Sequence, residues 1–195
     1  MPPIISPAET QTRSMFLALM WSLSRPGMPG EMPAASPYGA YAEDGELSHF
    51  ISVGRALLDL ETSFYTPHPG LAQALAHTGA RATPPAKAAY LFFPRLRELD
   101  LPDVEQAATG DYLYPDRAAT LIIGCKLQAP DALQLRLSGP GVHRQMDVRV
   151  GGLLPAFWPL RERRLRYPLG WDAFLLSQNH VIGLPRTTRV DLEVL

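Results

Sequence analysis

The chain has 195 residues, 46% of them hydrophobic and 19% charged, with a formal net charge of -1. That is the composition of an ordinary folded domain with enough chain to bury a core, and its charge gives no global pull toward nucleic acid or an acidic membrane. The single cysteine, Cys125, excludes an intrachain disulfide and an iron–sulfur cluster held by this chain alone, which takes about four thiolates. No secretory segment opens the chain and no apolar run reaches the roughly 20 residues of a membrane span, so a cytoplasmic protein in a reducing compartment is expected.

In chain order, residues 1–11 are proline-rich and expected to be irregular. Thr12 to Leu23 carries Met15, Phe16, Leu19, Met20 and Leu23 at helical spacing, and Ser24-Arg25-Pro26-Gly27 stops it. Residues 28–46, rich in glycine and proline, read as a loop. Leu47–Leu60 returns to helical periodicity, and Leu71–His77 is a third, alanine-rich helix. Tyr90–Phe93 is a short buried strand. A short helix is expected to start near Asp103 and stop at Gly110.

Ala118–Leu127 is an almost unbroken apolar run, which predicts a central strand covered on both faces. Leu133-Gln134-Leu135-Arg136-Leu137 alternates, so one face of that strand is buried and the other solvated. Ser138–Gly141 is a turn, and Leu153–Arg164 a helix interrupted at Pro159. The last thirty residues contain two apolar runs, 172–176 and 180–184, joined by Ser177-Gln178-Asn179 as a hairpin, then a final alternating strand over 190–194. Helices come first and paired strands later, which predicts one α/β domain over 1–195 with a mixed sheet.

Candidates for chemistry are few. The five histidines show no metal-ligand spacing, no glycine-rich phosphate loop lies between a strand and a helix, and no serine nucleophile elbow is present. Cys125 lies in an apolar strand, where a thiol is raised in pKa rather than activated. No catalytic residue and no metal ligand is assigned. Arginines are the exception: Arg161, Arg163, Arg164, Arg166, Arg186 and Arg189 crowd a stretch opposed only by Glu162 and Asp172. Guanidinium forks suit phosphate, phosphonate or carboxylate. The 161–166 run reads more simply as a solvated helix face or a rim of salt bridges. Arg186, with Thr187, Thr188 and Arg189 beside it at a strand end, reads either as an anion or partner site or as a well-capped turn. On the first alternative, replacing Arg186 leaves the fold intact. Arg25 is either an anion or partner contact or a helix-terminal cation. Phe157, Trp158, Tyr167 and Trp171 are interleaved with arginines, as in a protein interface, or belong to the core.

Several segments carry a resemblance. Tyr167-Pro168-Leu169-Gly170-Trp171-Asp172 followed by Gly183-Leu184-Pro185-Arg186-Thr187-Thr188-Arg189-Val190 resembles the C-terminal signature of the PhnH family of bacterial carbon–phosphorus lyase subunits. The helix ending in Ser24-Arg25-Pro26-Gly27, the strand Ala119–Ile123 and Leu135–Gly141 match the same family in order, over about residues 12 to 191. The Thr66–Gly70 loop and the 84–117 region match only loosely.

The resemblance implies a three-layer α/β/α sandwich whose core is similar to that of the pyridoxal-phosphate-dependent transferases, without a retained cofactor. The only lysines, Lys87 and Lys126, have no recognisable Schiff-base setting. It further implies a homodimer that assembles with PhnG, PhnI and PhnJ. The chain would then be an accessory, non-catalytic subunit of a transferase and lyase complex in phosphonate catabolism. That complex forms α-D-ribose 1-methylphosphonate 5-triphosphate from ATP and methylphosphonate. The alternative is an independent small enzyme or binding protein for a phosphorylated ligand.

Overall fold

Ser6-Pro7-Ala8-Glu9 starts the first helix earlier than expected. The Ser6 hydroxyl accepts from the Glu9 backbone N–H at 3.2 Å, and the Glu9 carboxylate accepts from the Ser6 N–H at 2.7 Å. This reciprocal cap satisfies two of the donors that a helix start leaves open, and Pro7 loses no helical bond at the first position. Helix α1 therefore spans Pro7–Ser24, and residues 7–11 are helical where irregular chain was expected. The computed structural model describes residues 6–34, 45–130 and 132–192, and the expectations for 1–5, 35–44 and 193–195 lie outside the described residues.

The remaining elements are β1 (Gly30–Glu31), α2 (Gly45–Leu57), β2 (Ser63–Tyr65), α3 (Pro69–Ala76), β3 (Arg81–Ala82), β4 (Tyr90–Phe93), α4 (Leu101–Gln106), β5 (Thr120–Gly124), β6 (Lys126–Leu127), β7 (Leu133–Ser138), β8 (Met146–Gly151), α5 (Phe157–Arg164), β9 (Asp172–Ser177), β10 (His180–Leu184) and β11 (Arg189–Leu192). Pro159 does not interrupt α5, because it falls in the first turn, where backbone N–H groups have no intrahelical acceptor. A 3₁₀ turn over Glu98–Asp100 leads into α4, two residues ahead of the expected start.

Seven strands form a mixed sheet in the order β1-β10-β9-β5-β4-β2-β3. From β9 to β3 all neighbours are parallel, while β9–β10 and β10–β1 are antiparallel. A second, wholly antiparallel sheet has the order β11-β7-β8-β6. The expected single strand over 118–127 is thus split. Thr120–Gly124 stays in the large sheet, Cys125 gives its N–H to the Leu176 carbonyl at 2.8 Å, and Lys126–Leu127 joins the small sheet. Gly124 sits at the break because a Cβ there would lie 1.9 Å from the Pro94 carbonyl oxygen.

Alternation along the central strands divides the core in two. Phe92, Ile122, Phe174 and Val181 face one way and pack with Met15, Leu19, Phe50, Val53, Leu71 and Leu75 of α1, α2 and α3. Leu91, Phe93, Leu121, Ile123 and Leu175 face the other way. They meet Val104 of α4, Phe157 and Leu160 of α5, and Leu135, Leu137, Val148 and Val150 of the small sheet. One cover is therefore helical and the other is part helix, part sheet, where helices alone were expected. The alternating pattern of β7 suits that place, since it has one apolar face to bury.

The fit of α1 to the sheet depends on a missing side chain. A Cβ at Gly183 in β10 would fall 2.5 Å from the Ser22 carbonyl and 2.6 Å from the Leu23 nitrogen. Gly183→Ala is therefore expected to force the helix off the strand and cost about 1–3 kcal/mol. Urea unfolding of the two proteins measures this; an unchanged midpoint would contradict the close approach.

Candidate functional site

Arg186 is the hub of the C-terminal signature. Its Nη2 pairs with Asp172 Oδ2 at 2.8 Å, its Nε donates to Asp172 Oδ1 at 3.3 Å, and its backbone N–H reaches the same oxygen at 2.8 Å. Nη1 donates to the carbonyls of Pro115 at 2.6 Å and Pro168 at 3.4 Å. The planar fork thus ties the start of β9, the turn after β10, the 110–117 loop and the cis-proline turn at Tyr167–Pro168 into one junction. All three guanidinium nitrogens are engaged inside the chain. Four of its five N–H donors therefore serve the turn from within the chain.

Its neighbours divide in the same way. Thr188 is buried and its carbonyl accepts from Arg161 Nη1 at 3.0 Å, while Arg161 Nη2 donates to the Pro185 carbonyl at 2.9 Å. Burial pushes the Arg161 guanidinium down to about 10, and the Asp172 charge partly offsets this. The 161–166 run is therefore not simply a solvated face: Arg161 is internal and Arg164 lies 5.9 Å over the Trp171 ring, whereas Arg163 and Arg166 are exposed. Phe157, Trp158 and Trp171 belong to the core, with the Trp171 indole N–H donating to the Ala107 carbonyl at 3.1 Å. Of that aromatic group only Tyr167, 77% exposed, faces outward.

Three signature turns meet at one end of the molecule. Gly139 lies where a Cβ would touch the Thr187 carbonyl at 2.7 Å, and Gly141, at φ 81°, lies against Pro26 and the Ser24 carbonyl. Ser24–Gly27, Ser138–Gly141 and Pro185–Thr188 are thus packed in a row. Thr187 is half-buried there, and Arg189 is exposed at the start of β11, paired with Ser138 in the ladder. Arg25 caps α1 through its N–H to the Trp21 carbonyl, and its guanidinium lies 4.8 Å over the exposed Trp21 ring. No hydrogen bond among the described residues joins Arg25 to Arg186.

Two features escaped the sequence reading. The outer side of α1 exposes Phe16, Leu17, Met20 and Trp21, a pattern that was signalled by apolar residues spread round the helix rather than along one stripe. A cleft lined in part by Cys125 and Lys126 also lies at the carboxyl ends of the parallel strands, which only the strand order could locate. Burial pushes the Cys125 thiol up to about 12. Among the described residues, no group of three or more His, Cys, Asp or Glu side chains is placed to hold a metal ion.

The fold joins an amino-terminal helical cover, a mixed sheet and an arginine-clamped C-terminal signature in one chain, and a known family matches that chain almost end to end. The family model described as bacterial phosphonate metabolism protein (PhnH) matches residues 5–191, so the chain belongs to the PhnH family. It is 30% identical over 192 residues to "Alpha-D-ribose 1-methylphosphonate 5-triphosphate synthase subunit PhnH" of Rhizobium meliloti (strain 1021), covering 94% of this chain and 92% of that protein. It is 28% identical over 183 residues to "Putative C-P lyase subunit protein HtxG" of Stutzerimonas stutzeri, covering 93% and 86% respectively.

Removing the hub should act on stability first. Arg186→Ala takes the guanidinium from the Asp172 carboxylate, which keeps only the backbone N–H, and leaves two carbonyls without their donor, at an expected cost of about 2–3 kcal/mol. Thermal and urea unfolding read this out, and a wild-type midpoint would return Arg186 to the role of a free anion ligand. At pH 8 the raised pKa leaves Cys125 almost wholly protonated, so alkylation by iodoacetamide is expected to be at least about a hundredfold slower than for free cysteine. Rapid alkylation of the folded protein would show an activated thiol instead.

Proposed function

We propose that this chain is an accessory subunit of the carbon–phosphorus lyase core assembly in phosphonate catabolism. In that role it supports formation of α-D-ribose 1-methylphosphonate 5-triphosphate from ATP and methylphosphonate. The observation that carries this reading is the near end-to-end match to a relative named as a subunit of that synthase. On this reading the chain works in the cytoplasm as a homodimer that joins PhnG, PhnI and PhnJ, and its three-layer core is akin to the pyridoxal-phosphate-dependent transferases, with no cofactor of its own. Catalytic transferase and lyase steps belong to the assembly.

The physical support lies in how the polar groups are used. Arg186, Arg161 and Asp172 hold turns in place, which makes a rigid platform rather than a set of groups waiting for substrate. Exposed side chains at the same end, Arg25 on Trp21 with Arg189 nearby in sequence to the clamp, are our candidates for partner contacts. Trp and Arg together are the residues that most often dominate binding at protein interfaces.

Co-expression of a tagged chain with PhnG, PhnI and PhnJ from the same source tests this directly. A stable hetero-oligomer of defined stoichiometry is expected, and recovery of the tagged chain alone would overturn the proposal. Trp21→Ala with Arg25→Ala should lower recovery of the partners at least about tenfold while leaving the chain folded, with only a small fall in melting temperature, because both side chains are exposed.

A further inference from the structure

The strand order contains a change of direction. From β2 the chain crosses through α3 to β3 on one side, whereas β4 lies on the other side of β2 and the chain moves on from it through α4 to β5. The helices α3 and α4 consequently lie on opposite faces of the sheet. Where neighbouring crossovers part in this way, the loops after the strands separate and leave a crevice at their carboxyl ends, the place where open α/β sheets bind ligands.

A crevice is found there. A cavity of about 400 Å³ opens between the loop after β2 (Pro67, His68) and the loop after β4 (Pro94, Arg95). A larger one of about 1100 Å³ continues from Pro94 and Arg95 past the ends of β5 and β9. The two adjoin at Pro94 and Arg95, and we treat them together as a groove along the carboxyl edge. Its larger part has room for a molecule the size of a nucleotide.

The lining is one-sided in charge. Among the described residues, Arg95, Arg97 and Lys126 contribute to it and no aspartate or glutamate does. Arg97 is neutralised by Asp100, which takes both its Nε and Nη2 at 3.0 Å. Arg95 and Lys126 make no ion pair among the described residues, and both are exposed. Further in, the wall becomes neutral. His49 has a buried Nε2 without a hydrogen-bond partner among the described residues, next to Phe50 and Leu176. Burial lowers the His49 pKa, so its imidazole is uncharged in neutral water and offers a polar contact without a charge.

We propose that this groove binds a small molecule bearing several phosphate or phosphonate charges, with its anionic end at Arg95 and Lys126 and a neutral, partly apolar end at His49 and Phe50. Two cations without an ion pair, and with no carboxylate in the lining among the described residues, favour a multiply charged anion over a neutral ligand. The site is distinct from the Arg186 junction, which lies at the amino ends of β5 and β9. It also stands apart from the subunit reading, since either could fail without the other.

Calorimetric titration of the full chain at low salt with tripolyphosphate and with ATP tests the proposal. Both are expected to bind the wild type, and Arg95→Ala with Lys126→Ala is expected to weaken both at least tenfold at an unchanged melting temperature. Arg163→Ala, which removes an exposed cation of α5, should bind like the wild type. Three results would overturn the site: no heat from either probe at millimolar concentration, equal binding by the double variant, or tighter binding of a polyglutamate peptide than of both probes. Loss of partner co-purification by the double variant without any effect on probe binding would also overturn it, and would make the groove a protein contact.

Discussion

The Asp172–Arg186 pair joins parts of the chain that would otherwise have no reason to stay together. Asp172 opens β9, the strand that stands between the parallel and antiparallel halves of the large sheet. Arg186 begins the turn that carries the chain from that sheet to β11 in the small one. With side chains only 17% and 24% exposed, the two charges are shielded enough for their pairing to matter and still wet enough to avoid the full cost of burial. The remaining arginine nitrogens then fix two loops through their carbonyls. Backbone carbonyls of irregular segments need donors once they leave water, and a guanidinium can serve several at once.

At several points of the fold the packing follows from close approach. Gly183 lets α1 lie on β10, Gly139 lets one turn meet another, and Gly124 lets the Pro94 carbonyl cross the end of β5. Each contact brings backbone within reach of backbone, so the local shape is set by the absence of side chains. The two apolar clusters then fill the faces of the sheet with ordinary aliphatic and aromatic packing, which tolerates variation better than these contacts do.

Much of the secondary structure was legible because its signals are local. Tyr90–Phe93, the 172–184 hairpin and the alternating β7 come out within a residue or so of their expected limits. The start of α1 was equally local, written in Ser6 and Glu9, but the preceding prolines drew attention from it. What could not be read was which strand lies beside which. The split of 118–127 between two sheets depends on a steric contact with Pro94, thirty residues away. The fate of Arg186 depends on Pro115 and Pro168, whose carbonyls carry no sequence signature. An arginine beside two threonines looks the same on paper whether its partners are outside the molecule or within it. The groove is a third case, since Arg95 and Lys126 become neighbours of one cavity only through the strand order.

The passage of the chain at Cys125 has a mechanical side. Gly124 ends a strand of the large sheet and Lys126 begins a strand of the small one, with a single residue between them. Lys126 is at the same time part of the groove wall, and the Leu127 N–H is fastened to the Ser177 hydroxyl at the end of β9. One wall of the cleft therefore comes from the small sheet and the others from the large sheet and α2, and the shared core and the Leu127–Ser177 bond hold the two sheets together. A partner seated on the small sheet would therefore rest on the same strand, β6, that supplies Lys126 to the cleft wall.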